Sequence, residues 1–159
     1  MIRTGIGYDV HRLETGRALI LGGVEIAHSH GLAGHSDADV LCHAIADALL
    51  GAAGLPDIGH YFPPGNEAIR GISSLEILRR VRAELAALGG TINNIDSTLI
   101  AEKPKILPHV PLMRERIAAA LDITCSQVGI KATTNETLGF AGRQEGMAAL
   151  ATACVELPI

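Results

Sequence analysis

The segment SDADVLCHAIADALLGAAG, residues 36–54, constrains the fold more than any other part of this sequence. Apolar residues occupy nearly every side of a helix with 3.6 residues per turn, so we expect this helix to be largely buried. Ser36 is a suitable N-cap residue, and Gly51 or Gly54 can end the helix.

The polar residues of this helix form one stripe. Asp39, His43 and Asp47 recur at intervals of four residues, which places their side chains on one side of the helix. Because the rest of the helix is apolar, we expect this stripe to face a specific partner.

A possible partner is the segment GIGYDVHRL near the start of the chain, which begins like a buried strand. Asp9 and His11 are two residues apart, so on a strand they point to the same face. With His43 they form a ligand set suited to zinc, with a fourth position left open as in catalytic sites. The spacing alone also allows a hydrogen-bonded Asp–His pair and a half-buried His43 without a metal.

Strand and helix patterns alternate along the rest of the chain. The sequence predicts an α+β fold, a mixed β-sheet with helices packed on one face, in a single domain spanning residues 1–159. The predicted strands are residues 1–11, 91–102, 127–134 and 147–157, with a hairpin at 17–27. The other predicted helices are residues 73–90 and 111–122, and loops are predicted at 28–35, 55–71 and 135–146.

Composition excludes several classes of partner. The net charge is −4 and aromatic residues make up only 3%, which argues against nucleic-acid binding and attraction to anionic membranes. The apolar runs are too short or too broken to span a bilayer. The three cysteines lack a C-x-x-C spacing, so we expect them to be reduced and mostly buried, in a cytoplasmic protein.

Four long segments occur in a familiar order: GYDVHRL, GHSDADVLCHAIADALLGAAGLPDIGHYFP, AEKPKILPHVPLMR and KATTNETLGFAGRQEG. Together they resemble the 2-C-methyl-D-erythritol 2,4-cyclodiphosphate synthase family of the non-mevalonate isoprenoid pathway, over essentially the full length of the chain.

The resemblance implies a metal side of the site. Asp9, His11 and His43 would hold zinc, and His35 would stabilise the transition state. The positions expected to contact the substrate on this side are Asp9, Val10, His11, His35, Ser36, Asp57, Ile58 and Gly59.

The resemblance also implies a cytidine side. Thr134 would be the second stabiliser of the transition state, and Glu136 would lie near a second metal, Mg²⁺ or Mn²⁺. The positions matching the cytidine pocket, the diphosphate turn and the trimer axis are Ala101, Lys105, Ile106, Leu107, Ala132, Thr133, Thr134, Asn135, Glu136, Phe140 and Arg143.

The family's assembly and chemistry complete the expectation. A homotrimer would have active sites between adjacent subunits, and an isoprenoid diphosphate could bind on the three-fold axis. The substrate, 4-diphosphocytidyl-2-C-methyl-D-erythritol 2-phosphate, would be cyclised with release of CMP. No nucleophile–base pair is evident in the sequence, and none is needed, because a phosphate monoester with a second pKa of about 6 is mostly ionised at neutral pH.

The sequence departs from the family pattern at a few positions. Pro64, Gly65 and Asn66 replace a short Asp-containing stretch, Asn135 replaces a commoner Thr, and Gln144 replaces a commoner Gly. Contacts from residues 63–67 are therefore left open.

Two rival functions also remain at this point. A zinc hydrolase would release free phosphate, but it would usually need a base beside the metal. A non-catalytic trimeric binder would tolerate replacement of His43 by Ala, but it has no use for an open zinc triad.

Overall fold

The computed structural model describes residues 1–63 and 65–159. Pro64, at which the sequence departs from the family pattern, lies outside the described residues. The strands are β1 (Ile2–Thr15), β2 (Leu19–Leu21), β3 (Val24–Ile26), β4 (His30–Leu32), β5 (Thr91–Ile100), β6 (Val128–Thr133) and β7 (Gly146–Glu156). The α-helices are α1 (Val40–Ala53), α2 (Ile58–Tyr61), α3 (Ser74–Ala87), α4 (Val110–Leu121) and α5 (Gly139–Gly142). Short 3-10 turns occur at Glu67–Ile69, Leu107–His109 and Cys125–Gln127.

The main sheet has five strands in the order β4-β1-β7-β5-β6. β5 and β6 pair in parallel, whereas β1 pairs antiparallel with β4 and β7, and β5 pairs antiparallel with β7. β2 and β3 form a separate hairpin. The predicted mixed sheet and the predicted hairpin are therefore confirmed.

The central helix α1 packs very closely on β1, and glycines make this possible. A Cβ atom at Gly7 would lie 1.9 Å from the Ala44 carbonyl oxygen, and one at Gly5 would lie 2.1 Å from that of Ala48. Because side chains alternate along a strand, Asp9 and His11 continue the same face toward α1. The close approach thus brings the start of α1 against the Asp-x-His segment.

The other face of the sheet is apolar and open in the isolated chain. Ile6, Tyr8 and Val10 alternate with the glycine face, and their exposed fractions are 71%, 53% and 44%. Leu150 on the neighbouring strand is 41% exposed. The helices therefore cover one face of the sheet only, as the sequence predicted.

The start of α1 differs from the prediction. The N-cap is Asp39, whose carboxylate accepts the backbone N–H of Cys42, rather than Ser36. Ala38 has a left-handed backbone with φ of 56°, which a continuous α-helix does not allow. Residues 36–38 consequently lie in an irregular segment before the helix, and the helix ends at Gly54, one of the two predicted alternatives.

The sequence prediction also missed short elements. β4 lies in the region predicted as a loop and pairs with the end of β1, from Leu13 to Thr15. Three residues are too few to show a strand period. The predicted loop at 55–71 contains α2 and a 3-10 turn, and α5 lies in the predicted loop at 135–146.

Two remaining expectations concern cysteines and membranes. The three cysteines are free, but Cys125 is exposed and only Cys42 is fully buried, so the expectation that they are mostly buried is wrong. Among the helices of the described residues, none has the length and hydropathy needed to cross a bilayer.

Candidate active site

Three predicted ligands converge between β1 and α1. The Oδ2 atom of Asp9 lies 2.9 Å from Nε2 of His11 and 3.0 Å from Nδ1 of His43. The two ring nitrogens are 3.2 Å apart. Among the residues that the structure describes, these three form a group of His, Cys, Asp or Glu side chains whose ligand atoms lie close enough together to bind one metal ion.

The charges of this cluster are strongly coupled. Burial alone would raise the pKa of Asp9, but the hydrogen bonds and charges of His11 and His43 outweigh it and lower that pKa to about 2. Burial would lower the pKa of His11, but the hydrogen bond and charge of Asp9 raise it above its ordinary value. Asp9 is therefore a carboxylate at any physiological pH.

The tautomer of His11 suits a metal ligand. Its Nδ1 lies 2.6 Å from the carbonyl oxygen of Ala33, which can only accept, so Nδ1 carries the hydrogen. With a metal bound, Nε2 would present a lone pair to it, whereas in the metal-free protein Nε2–H donates to the Asp9 carboxylate.

The cluster fits a zinc ion. Tetrahedral ligands at zinc–ligand distances of about 2.0–2.2 Å are separated by about 3.3 Å from one another, close to the spacing of these three atoms. One carboxylate and two imidazoles form a typical catalytic donor set, which would leave a fourth position of a bound zinc ion for another oxygen ligand.

The three residues of the polar stripe of α1 contact different partners, contrary to the expectation that the stripe faces a single one. The carboxylate of Asp39 accepts the backbone N–H groups of Gly22 and Gly23 at 3.0 and 2.6 Å, so it holds the β2–β3 hairpin. Its complete burial raises its pKa. Asp47 instead accepts the N–H of Ile58 at 2.9 Å and thereby fixes the start of α2. Of the three stripe residues, only His43 contacts Asp9 and His11.

A cavity of about 270 Å³ opens beside the cluster. His35, Ser36, Ile58 and Gly59 line it, as the resemblance implied for the metal side. Asp57 is not part of its lining but caps α2 by accepting the N–H of His60, at 3.3 Å. The remaining walls are apolar and consist of Phe62, Ile69, Ile72 and Ile77.

Val10 is placed differently from its neighbours. Its side chain belongs to the open face of the sheet, opposite Asp9 and His11, because successive strand residues alternate. Only its backbone could contact a substrate held in this cavity.

A second cavity of about 410 Å³ lies between the end of β6 and the segment that follows β5, residues 101–108. The predicted cytidine-side residues that line it are Ala101, Lys105, Ile106, Leu107, Ala132, Thr133 and Thr134. The hydroxyl of Thr134 donates to the Glu136 carboxylate at 2.8 Å, so these two predicted residues are in contact.

The sequence analysis missed Glu102 in this region. Its Oε1 accepts the backbone N–H groups of Asn135 and Thr137 at 2.7 and 3.2 Å, and so shapes the turn that carries Thr134 and Glu136. The sequence did carry a signal for Glu102, because it lies in the segment AEKPKIL, which supports the family resemblance, directly after the predicted site residue Ala101.

The two cavities share no lining residue. Residues 133–140 are all exposed in the isolated chain. One chain therefore presents the predicted site residues in two separate cavities rather than in one enclosed pocket.

Phe140 and Arg143 line neither of these cavities. Arg143 instead forms an exposed ion pair with Glu145, with Nε 2.8 Å from Oε1. The hydrogen bond of Glu145 raises the pKa of Arg143, and the reciprocal hydrogen bond lowers the pKa of Glu145.

Comparison with known proteins gives a consistent picture. The model of the YgbB family matches residues 2–156. Among curated relatives, the 2-C-methyl-D-erythritol 2,4-cyclodiphosphate synthase of Akkermansia muciniphila is 58% identical over 156 residues, covering 98% of this chain and 92% of that protein. The synthase of Symbiobacterium thermophilum is 60% identical over 151 residues, covering 95% of this chain and 96% of that protein.

Solved structures are similar as well. The Plasmodium falciparum IspF–CDP complex superposes with a TM-score of 0.87 at 34% identity, covering 99% of this chain and 97% of that one. The bifunctional IspDF of Campylobacter jejuni reaches a TM-score of 0.95 at 40% identity, covering 99% of this chain and 43% of that one.

Proposed function

The chain belongs to the YgbB family, the 2-C-methyl-D-erythritol 2,4-cyclodiphosphate synthases, and from this premise we propose how its residues divide the work of the reaction. It is a lyase of isoprenoid biosynthesis. It converts 4-diphosphocytidyl-2-C-methyl-D-erythritol 2-phosphate to the 2,4-cyclodiphosphate and releases CMP, in the non-mevalonate pathway.

The observation that carries the mechanism is the convergence of Asp9, His11 and His43 beside a cavity lined by His35 and Ser36. We assign these three ligands to zinc and a second divalent metal, Mg²⁺ or Mn²⁺, to the diphosphate near Glu136. Bound there, the metals would polarise the β-phosphate and offset the charge of the leaving group.

The nucleophile is supplied by the substrate. An oxygen of its 2-phosphate forms a bond to the β-phosphorus, while the bond from that phosphorus to the oxygen bridging to the α-phosphate breaks, and CMP takes the electron pair. The protein therefore needs to position two ends of one molecule and to bind the developing charge.

His35 and Ser36 serve the phosphates on the metal side. The His35 ring lies with Nε2 2.9 Å from the carbonyl oxygen of Asn66, which can only accept, so Nε2 donates there and holds the ring beside the cavity. The segment 36–38 presents the Ser36 hydroxyl at the cavity. Ile58 and Gly59 would contact the erythritol portion from the cavity wall, and Asp57 would contact it from the start of α2, which Asp47 fixes.

The cytidine side binds the nucleotide. Lys105 provides a cation and Thr133 and Thr134 provide hydroxyls beside the second cavity. The other members of this proposed pocket are Ala101, Ile106, Leu107, Ala132 and Asn135.

We propose that the functional unit is a homotrimer in which the metal side of one subunit faces the cytidine side of the next. The two half-sites on one chain and the open apolar face with Ile6, Tyr8 and Val10 support this assembly. Exposed apolar patches of this kind commonly form subunit interfaces.

Phe140 and Arg143 would lie at the end of the site near the three-fold axis, where an isoprenoid diphosphate could bind. The enzyme would act in the cytoplasm, in keeping with three free cysteines. The mechanism does not depend on the ligand at the three-fold axis or on the cellular compartment.

Phosphorus NMR of the purified protein with its diphosphocytidyl substrate tests the mechanism. We expect cyclic diphosphate and CMP, and we expect a zinc chelator or the replacement His43→Ala to abolish both. Free phosphate would instead identify a hydrolase. Unchanged substrate that still binds would identify a non-catalytic binder.

A further inference from the structure

We propose that Ser74 and Asp37 are positioning residues that fix the His43 ring for metal binding through a chain of hydrogen bonds. The inference rests on the metal site proposed above. His43 presents Nδ1 to Asp9 and His11, while its other nitrogen, Nε2, lies 2.9 Å from the hydroxyl oxygen of Ser74. The Ser74 hydroxyl in turn donates to the Asp37 carboxylate.

The direction of each hydrogen bond follows from the number of hydrogens available. The Asp37 carboxylate can only accept, and it already accepts the backbone N–H of Ser74 at 2.8 Å. The single hydroxyl hydrogen of Ser74 goes to the same carboxylate, so its oxygen is left to accept from His43. With a metal bound, the hydrogen of His43 would therefore stay on Nε2, and Nδ1 would keep a lone pair for the metal.

Burial makes this chain of hydrogen bonds difficult to replace. Ser74 is fully buried and His43 is 6% exposed, so water has little access to Nε2. The Ser36 hydroxyl also lies 3.2 Å from Nε2, but it borders the substrate cavity and is available to a phosphate. Ser74 is consequently the partner that holds the ring whether or not substrate is bound.

Asp37 is itself held in place. Its backbone N–H donates to the carbonyl of Ile72 at 3.1 Å, and its Oδ1 accepts the backbone N–H of Asp39 at 3.2 Å. These bonds join the segment before α1 to the first residue of α3 around the His43 ring. Partners of this kind orient metal-bound histidines in other sites, and their loss typically weakens metal binding about 10–100-fold.

The test compares zinc affinity, measured by chelator competition, among the wild-type protein, Ser74→Ala, Asp37→Asn and their double variant. We expect each single variant to bind zinc about 10–100-fold more weakly. Because Asp37 acts through Ser74, the double variant should be about as weak as Ser74→Ala alone. Ser73→Ala is the matched control, since Ser73 caps α3 through the N–H of Leu75 and is not bonded to His43.

A spectroscopic measurement separates positioning from general destabilisation. In the zinc-loaded wild-type protein, the Nε2 hydrogen of His43 should give a proton–nitrogen NMR signal protected from exchange with water. Asp37→Asn should weaken this protection and Ser73→Ala should leave it unchanged, even if Ser74→Ala does not fold.

Wild-type zinc affinity in Ser74→Ala, or an equal loss in Ser73→Ala, would overturn the positioning role. Additive losses in the double variant would overturn the serial arrangement. Failure of the wild-type protein to bind zinc would overturn the metal site instead, so the two failures can be told apart.

Discussion

Asp9 illustrates how a single side chain combines the constraints of the site. It is held between two imidazoles, and their hydrogen bonds and charges outweigh the effect of burial on its pKa, which falls to about 2. Its identity as a ligand could be predicted from the strand period and the resemblance. The roles of Ser74 and Asp37 could not, because Ser73 and Ser74 both look like cap residues and only the tertiary fold brings one of them to His43.

The lowered pKa of Asp9 gives a pH-dependence in the metal-free protein. Its folded pKa of about 2 lies below the ordinary value of 3.8, so the stabilisation it contributes is complete only well above pH 3.8, starts to fall near about pH 5 and is lost as pH falls toward 2. We expect the difference in unfolding free energy between the wild-type protein and Asp9→Asn, in chelator, to shrink between pH 5 and pH 2. Urea unfolding measures it, and a difference independent of pH in this range would refute the coupling.

At the scale of elements, the close contact of β1 and α1 places the ligands. The buried helix and the strand could be predicted from hydrophobic patterns, but their distance could not, because it depends on which strand glycines face the helix. The predicted start of α1 at Ser36 is wrong for a related reason. Asp39 caps the helix, and its carboxylate also accepts the backbone N–H groups of Gly22 and Gly23, a long-range contact that local sequence patterns do not show.

The close contact of Gly7 with α1 can be tested by substitution, with Gly51 as the control position. Gly7→Ala would bring a methyl group within 1.9 Å of the Ala44 carbonyl oxygen, so it should destabilise the protein by about 1–3 kcal/mol or more and weaken zinc binding by moving α1. Gly51→Ala makes the same chemical change with its nearest neighbour 3.8 Å away, within a helix, and should be neutral or stabilising by up to about 1 kcal/mol. Thermal unfolding and zinc titration check both; equal effects of the two substitutions would contradict the packing argument.

The turn after β6 offers a second test at this scale. Glu136 and Thr137 have left-handed backbones with φ of 51° and 63°, and Glu102 holds this turn through two backbone N–H groups. We expect Glu102→Ala to raise KM for the cytidine substrate several-fold without changing zinc affinity. Glu102→Gln retains an accepting oxygen and should restore most of the loss, whereas failure of Gln to restore KM would argue against this role.

For the whole molecule, the main consequence is that one chain divides the residues of the proposed site between two separate cavities. The two cavities with separate linings and the open apolar face are the observations that support the proposed association of copies. The sequence patterns alone did not reveal this face, because Ile6, Tyr8 and Val10 look like ordinary strand residues until the sheet shows which side the helices cover. The trimer was predicted from the resemblance instead, and it stays a prediction.

Charge on the open face tests the assembly. Ile6 is 71% exposed in the isolated chain, so Ile6→Glu should leave the monomer folded but should break the trimer and reduce activity. Leu88→Glu, at the end of α3 where the leucine is 42% exposed, is the control and should keep the assembly. Sedimentation velocity distinguishes the species, and an unchanged trimer in Ile6→Glu would place the interface elsewhere.

The central claim is that Asp9, His11 and His43 hold one zinc ion with a position left for a phosphate oxygen. Zinc X-ray absorption spectroscopy of the purified protein measures this most directly. We predict one zinc per chain with two imidazole nitrogens and the remaining ligands oxygens, at about 2.0–2.2 Å. A spectrum without two histidine ligands, or one unchanged by His43→Ala, would contradict the account.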